Sequence, residues 1–280
     1  MIKQVYRFLS PRFQNLFLEY KVAFKPRYGH GNPPHQRLYE IIDAGRHGYE
    51  EILNEALLYK DSFQSIRIDS DPNPINPIYN NGYLPGLDIV ALYTIIAKFK
   101  PETYFEVGSG NSTKVANKAI KELGLDTKIV SVDPMPRAEI DTLANKVIRK
   151  PFEDIDFSEI FSLKENDILF IDNSHRILPN SDSMVFYLEV LPFVPKGVIV
   201  HIHDVYLPYD YPQFMCDRFY SEQYGLAMFL LANPDRYKPL LPNFFVSEDA
   251  DLYSIVTPIW DIPSLKTVER HGGSFWMVVR

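Results

Sequence analysis

Two short segments of this 280-residue chain hold side chains that chemistry needs close together. One is Asp172-Asn-Ser-His175 and the other is His201-Ile-His203-Asp204. Each closes a short apolar run. His201 and His203 share one strand face by the two-residue period, and Asp204, just past the strand's end, is free to turn into a crevice. Two kinds of chemistry fit these groups. His175 or His203 would serve as a general base that takes a proton from a substrate hydroxyl, because an unperturbed histidine titrates near neutrality. Alternatively, Asp172, His203 and Asp204 would bind a divalent ion that lowers the hydroxyl's pKa and orients it. A mixed imidazole and carboxylate set suits zinc, iron or manganese better than magnesium. The catalytic candidates are therefore His175, His203 and Asp204, and the metal candidates are Asp172, His203 and Asp204. His201 reads as a satisfied strand histidine.

A third segment, Tyr104-Phe-Glu106-Val-Gly108-Ser109-Gly110-Asn111-Ser112-Thr113, reads as a ligand-binding turn. A strand feeding a Gly-x-Gly turn brings backbone close to a ligand, because glycine carries no Cβ. The helix that Asn111 and Ser112 open points its free N–H groups at that ligand. A dinucleotide fingerprint wants a third small residue at position 113, where Thr113 stands. Glu106, just before the turn, suits a ligand with a cationic amino end. Asp133, at the end of the next strand, can take both hydroxyls of a ribose. S-adenosylmethionine has both features and no pyrophosphate, so it is the cofactor expected here.

The elements that must position these groups follow from the alternation of the chain. Strands are expected at 102–107, 127–132, 146–149, 167–171 and 198–202, with helices at 112–123, near 137–145 and at 181–191. Such alternation predicts a parallel sheet with helices on both faces, and ligands bind outside the carboxyl ends of its strands. Glu106, Asp133, Asp172 and Asp204 all stand at or near those ends. Upstream, residues 35–66 carry a helical stripe, 69–85 is turn-rich, and Leu87 to Phe99 reads as an apolar helix closed before Pro101. Downstream, Tyr206 to Tyr220 is rich in tyrosine and proline and reads as a lid or wall over the acceptor, or a packed loop. Glu222 to Leu231 reads as a helix whose Glu222-Gln223 start either bonds a polar acceptor or is simply exposed. Strands near 240–246 and 274–280 are expected to close the sheet as an antiparallel pair. The fold class is α/β: a doubly wound, Rossmann-like sheet of seven strands, mostly parallel, with the last antiparallel. A helical extension, 1–80, precedes the main domain, 81–280.

Bulk properties set the limits. A net charge of −7 argues against nucleic acid as a partner. Cys216 is the only cysteine, which excludes an internal disulfide and a multi-cysteine zinc site and favours a reducing compartment. The apolar runs are too short for a membrane span, and the N-terminus lacks the apolar core of a signal peptide. A cytoplasmic location is expected. Residues 1–30 hold six Lys and Arg against Glu19, with apolar residues at helical spacing and Ser10-Pro11 as a cap. This helix, 1–27, reads either as a basic anchor on an anionic membrane or as a face packed on the main domain or a second subunit. A homo-oligomer is expected.

The block from about Leu84 to His203 resembles the class I S-adenosylmethionine-dependent methyltransferases. It looks most like the branch with small-molecule and sugar O-methyltransferases and cephalosporin-hydroxylase-like proteins. The resemblance rests on Glu106 to Thr113, Ser131 to Pro134, Phe170 to His175 and Gly197 to Asp204, with Gly272 to Val279 fitting the last strand. It implies that Gly108, Ser109 and Gly110 wrap the methionine portion, that Asp133 holds the ribose, and that Phe152 or Glu153 flanks the adenine. Asn111, Ser112, Glu106 and Asp172 complete the expected cofactor set. Metal-dependent relatives use carboxylates from the two strand ends where this chain has His203 in place of an acid. The implied activity is methylation of a hydroxyl on a polar small molecule or glycan. Two alternatives stay open: a metal-dependent hydroxylase-like enzyme, and a catalytically silent peripheral membrane or assembly protein.

Overall fold

The computed structural model describes residues 6, 8–11, 14–136 and 140–280. Seven strands form one sheet: β1 (Thr103–Val107), β2 (Lys128–Val132), β3 (Lys146–Ile148), β4 (Ile168–Ile171), β5 (Ile199–Ile202), β6 (Tyr237–Pro242) and β7 (Phe275–Val279). Their order is β3-β2-β1-β4-β5-β7-β6. β1 to β5 run parallel, and β7 runs antiparallel to both β5 and β6. The sheet is thus the mixed, Rossmann-like one expected.

The central strands show why. Ile168-Leu-Phe-Ile171 is buried along its whole length, as is Ile199-Val-His-Ile202. Strands covered on both faces read as unbroken apolar runs, which is what a parallel sheet between helical layers requires. The helix Gly86–Phe99 is apolar nearly all round and buried over twelve of its fourteen residues, so it lies inside the molecule rather than on it. The helix Asn111–Leu123 buries only one face, through Val115, Ala116, Ala119 and Ile120.

The strand order reverses between β1 and β4. Gly108 N bonds back to Val132 O at 2.9 Å and Asp172 N to Val107 O at 2.9 Å, so the turns after β1 and β4 meet at this point. Open α/β sheets bind their ligands there.

Several boundaries differ from the sequence reading. The stripe over 35–66 is broken into helices Gln36–Asp43, Arg46–Ala56 and Lys60–Gln64, with a 3-10 turn at Leu57–Tyr59. Gly45 stands at the first break, where a Cβ would overlap the Tyr49 ring. The helix expected near 137–145 does not form over 140–145, where the chain makes a turn; residues 137–139 lie outside the described ones. The strand expected at 240–246 instead ends at Pro242, and Asn243–Glu248 is helical. The helix at 181–191 forms as Asp182–Val185 followed by a π turn, Phe186–Val190.

The N-terminal helix is corrected more sharply. Ser10 N bonds to Tyr6 O, so Ser10 ends a helical turn rather than starting one. Residues 14–26 are neither helix nor strand, and Leu16, Phe17, Leu18 and Tyr20 are exposed. The remaining residues of 1–13 that the helix expectation covers lie outside the described ones. Leu38, Ile42, Tyr49, Ile52 and Leu53 join the same buried cluster as the sheet strands.

Candidate functional site

A cleft of about 560 Å³ opens at the carboxyl ends of β1, β2 and β4. Gly108, Ser109, Gly110, Asn111, Ser112, Asp133, Asp172 and His203 line it, as do Phe152 and Glu153 after β3. Of the expected cofactor residues, all but Glu106 therefore line the same cleft. Gly108 has φ +82°, and a Cβ there would overlap the Asp172 carbonyl oxygen, so only glycine lets the two turns approach. A Cβ on Gly110 would meet nothing within 4 Å, which leaves open space beside the helix N-terminus.

Glu106 corrects one expectation. Its carboxylate is fully buried under the turn and does not line the cleft. Tyr104 Oη donates to it at 3.0 Å, and the Thr113 hydroxyl donates to its other oxygen. Gly110 N donates to Thr113 Oγ1 at 3.0 Å. The threonine that spoils a dinucleotide fingerprint thus ties the buried acid to the turn. Burial raises the Glu106 pKa to about 7 against the hydrogen bonds of Ser112, Thr113 and Tyr104, with the Asp172 charge adding to the rise.

Asp133 takes Ser109 N at 2.9 Å on one oxygen and Met135 N at 2.7 Å on the other. A carboxylate has about four lone-pair sites, so two remain for ligand hydroxyls. The acid holds the turn and faces the cleft at once.

At the other end of the cleft, the two motifs of the opening converge. His175 Nε2 stands 3.5 Å from Asp172 Oδ1 and 3.5 Å from Asp204 Oδ2. His203 Nδ1 stands 3.7 Å from Asp172 Oδ1 and 3.6 Å from Asp204 Oδ1. Behind the rings lie two further acids. Glu222 Oε2 is 3.1 Å from His175 Nδ1, and Asp88 Oδ2 is 3.4 Å from His203 Nε2. His175 and Asp204 both hold left-handed backbone, at φ 65° and 54°. Such conformations cost an ordinary residue about 1 kcal/mol or more and persist where surroundings fix them.

Burial opposes charge on His203, but Asp204, Asp88 and Asp172 outweigh it and push its pKa up to about 10. His175 is likewise raised against burial, by Glu222, Asp204 and Asp172. His203 is therefore held as an imidazolium at neutral pH. This runs against His203 as the expected general base, since a protonated ring has no lone pair to accept with. His201 differs: it is buried, stacks on Phe170 at 3.7 Å and meets Ser274 Oγ at 2.8 Å. Burial first, then the His203 charge, holds it well below the usual histidine range. It is the buried strand histidine expected, but only half satisfied, since its Nδ1 has no hydrogen-bond partner.

The metal expectation also changes. Among the described residues, no group of three or more His, Cys, Asp or Glu side chains is arranged to hold a metal ion. Asp172, His203 and Asp204 stand as an ion-paired set instead, with His203 Nδ1 3.6–3.7 Å from the acids. The residues present do not fit the metal.

Nor do the tyrosines of 206–220 line the cleft. Tyr206, Tyr211 and Tyr220 pack with Met215 and Cys216 in a small cluster of their own. Tyr220 stacks on His175 at 4.7 Å, so it forms a wall behind that ring. Residues 24–35 strap this segment from outside: Arg27 N donates to Asp210 Oδ2 at 2.9 Å and His35 N to Pro208 O at 3.0 Å.

Sequence reasoning missed Asp88. It stands alone among apolar residues at the start of a helix, where an acid reads as a dipole partner. Glu222 was noticed, but as an exposed or acceptor-facing group, and it is buried against His175.

Residues 105–205 match the family model described as a methyltransferase domain. That stretch runs from within β1 to just past β5, so the similarity to a methyltransferase domain covers the parallel half of the sheet. An uncharacterized protein of Archaeoglobus fulgidus is 33% identical over 95 residues, which span 32% of this chain and 43% of that protein's length. Among solved structures, the Podospora anserina methyltransferase PaMTH1 with bound S-adenosylhomocysteine (SAH) is 13% identical, at TM-score 0.42 over 81% of this chain and 88% of its own. The plantazolicin methyltransferase BpumL in complex with SAH is 14% identical, at TM-score 0.44 over 87% of this chain and 100% of its own.

Proposed function

We propose that this protein is an S-adenosylmethionine-dependent methyltransferase acting on a hydroxyl of a polar small molecule or glycan. The observation that carries the reading is the cleft at the β1–β4 reversal, which the glycine turn, Asp133, Phe152, Glu153, Asp172 and His203 line together. Its volume lies within the range of about 300–1,000 Å³ usual for small-molecule sites. The residues present fit the cofactor: the Gly110 side leaves room, Asp133 keeps free lone pairs, and Asn111 and Ser112 open a helix toward the cleft. When bound, S-adenosylmethionine supplies an electrophilic methyl group.

The chain's own residues supply binding and charge. Asp172 and Asp204 are the groups at this end that can accept a hydroxyl proton. The His203 imidazolium, with His175 beside it, stabilises negative charge that develops on an acceptor oxygen. Calorimetric titration with S-adenosylmethionine and SAH tests the reading, and Asp172→Ala should weaken any methyl transfer found in acceptor screens.

A second reading concerns the N-terminal segment alone. Leu16, Phe17 and Tyr20 are exposed beside Lys21 and Lys25. That composition supports peripheral contact with an anionic membrane. Among the described residues no helix is long and apolar enough to cross one.

A further inference from the structure

The two imidazoles of the cluster are held from behind by acids that come from outside the matched block. Glu222 starts the helix Glu222–Ala232 and is almost wholly buried. Its carboxylate reaches two residues of the β4 loop at once, His175 Nδ1 at 3.1 Å and Asn173 Nδ2 at 3.3 Å. The same junction is tied through the backbone, since Ser221 N and Glu222 N both donate to His175 O. Asp88 is fully buried on the helix Gly86–Phe99. It accepts from Asn243 Nδ2 at 2.7 Å, Gly273 N at 2.8 Å and Ser274 N at 3.0 Å, and its Oδ2 faces His203 Nε2 at 3.4 Å.

The geometry repeats. Each ring has one nitrogen facing a buried acid, hydrogen-bonded for His175 and at ion-pair distance without a hydrogen bond for His203, and the other turned to the Asp172–Asp204 pair. A histidine ring turns easily about its outer bond, and either edge can lead. A carboxylate on one nitrogen fixes both the orientation and which nitrogen carries the proton. We propose that Glu222 and Asp88 are positioning residues of this site: Glu222 sets His175 and Asp88 sets His203, so that His175 Nε2 and His203 Nδ1 face Asp172 and Asp204 at the end of the cofactor cleft. The proposal rests on the methyltransferase reading for its meaning but not for its test. Other groups also face the rings: Tyr220 is stacked on His175, Arg176 and Arg218 lie over Tyr220, Tyr206 lies near the acids, and His201 is 6.0 Å from His203.

The experiment uses the full chain labelled with ¹⁵N-histidine, with His175→Gln and His203→Gln to assign the signals. Long-range ¹H–¹⁵N spectra from pH 5 to 11 report which nitrogen of each ring is protonated and where each ring titrates. Glu222→Gln should lower the midpoint of His175 by at least about one pH unit, a tenfold change in proton affinity. His203 should stay within a few tenths of a unit, and Glu222→Asp should restore part of the shift. Asp88→Asn should do the converse. Asp88 also holds the backbone before β7, so the Glu222 arm stands alone should Asp88→Asn fail to fold. SAH affinity should stay within about threefold in Glu222→Gln, since Glu222 does not line the cleft. The proposal is overturned if His175 titrates unchanged in Glu222→Gln, or if both rings shift alike. Lack of SAH binding by the parent protein would sink the methyltransferase reading and leave the titration result to stand separately.

Discussion

The site turns on side chains whose charge is set by what lies behind them. His203 illustrates the sign of the effect. Its folded pKa of about 10 lies above its unfolded value, so its stabilising contribution is fully present below about pH 6.5 and is lost as pH rises through 10. Thermal melts of the parent should fall between pH 7 and 10 more steeply than those of His203→Gln. Glu106 works in a lower window. Its pKa is raised to about 7, so the protonated form is the stable one and stability falls as pH climbs from about 4.5 to 7. Glu106→Gln should flatten the melting curve in that window and leave the higher one alone. At Gly108, left-handed backbone and the Asp172 carbonyl both oppose a side chain. Gly108→Ala should cost about 2–4 kcal/mol in urea denaturation, from strain and forced separation of the two turns. A loss below about 0.5 kcal/mol would contradict the close approach described.

Among the elements, the strand tips were the most legible part of the sequence. An acid closing β1, β2 or β4, or just past β5, is read from local pattern alone, because an apolar run and a polar terminus need no knowledge of the rest. Thr113 was read by what it excluded, and its tie between Glu106 and Gly110 N is a three-dimensional fact. Thr113→Val removes the donor to one oxygen of the buried acid and should cost about 1–3 kcal/mol, measured by denaturant unfolding. The pairings His175–Glu222 and His203–Asp88 were not legible, because 47 residues separate the first pair and local spacing carries no sign of it. The broken stripe over 36–64 and the early end of β6 at Pro242 are boundary effects, where glycine and proline override periodicity. The N-terminal stripe had helical spacing, yet residues 14–26 form no helix, because that spacing pays only when a partner surface takes the apolar face.

At the scale of the whole molecule, the N-terminal helices and the sheet share one buried core, and the strap of residues 24–35 closes the tyrosine segment from outside. The exposed apolar residues of 14–20 lie beyond that strap. Flotation with phosphatidylserine vesicles should carry the full chain and release a chain starting at residue 30; equal recovery of both would remove the membrane reading. The central claim is that the cleft at the β1–β4 reversal holds S-adenosylmethionine, and its most direct test is calorimetric titration of the full chain with SAH. The account predicts one site per chain with a dissociation constant in the micromolar range, equivalent to roughly −8 kcal/mol, and loss of that binding in Asp133→Ala. No heat of binding at millimolar ligand, or binding that Asp133→Ala leaves untouched, would contradict it.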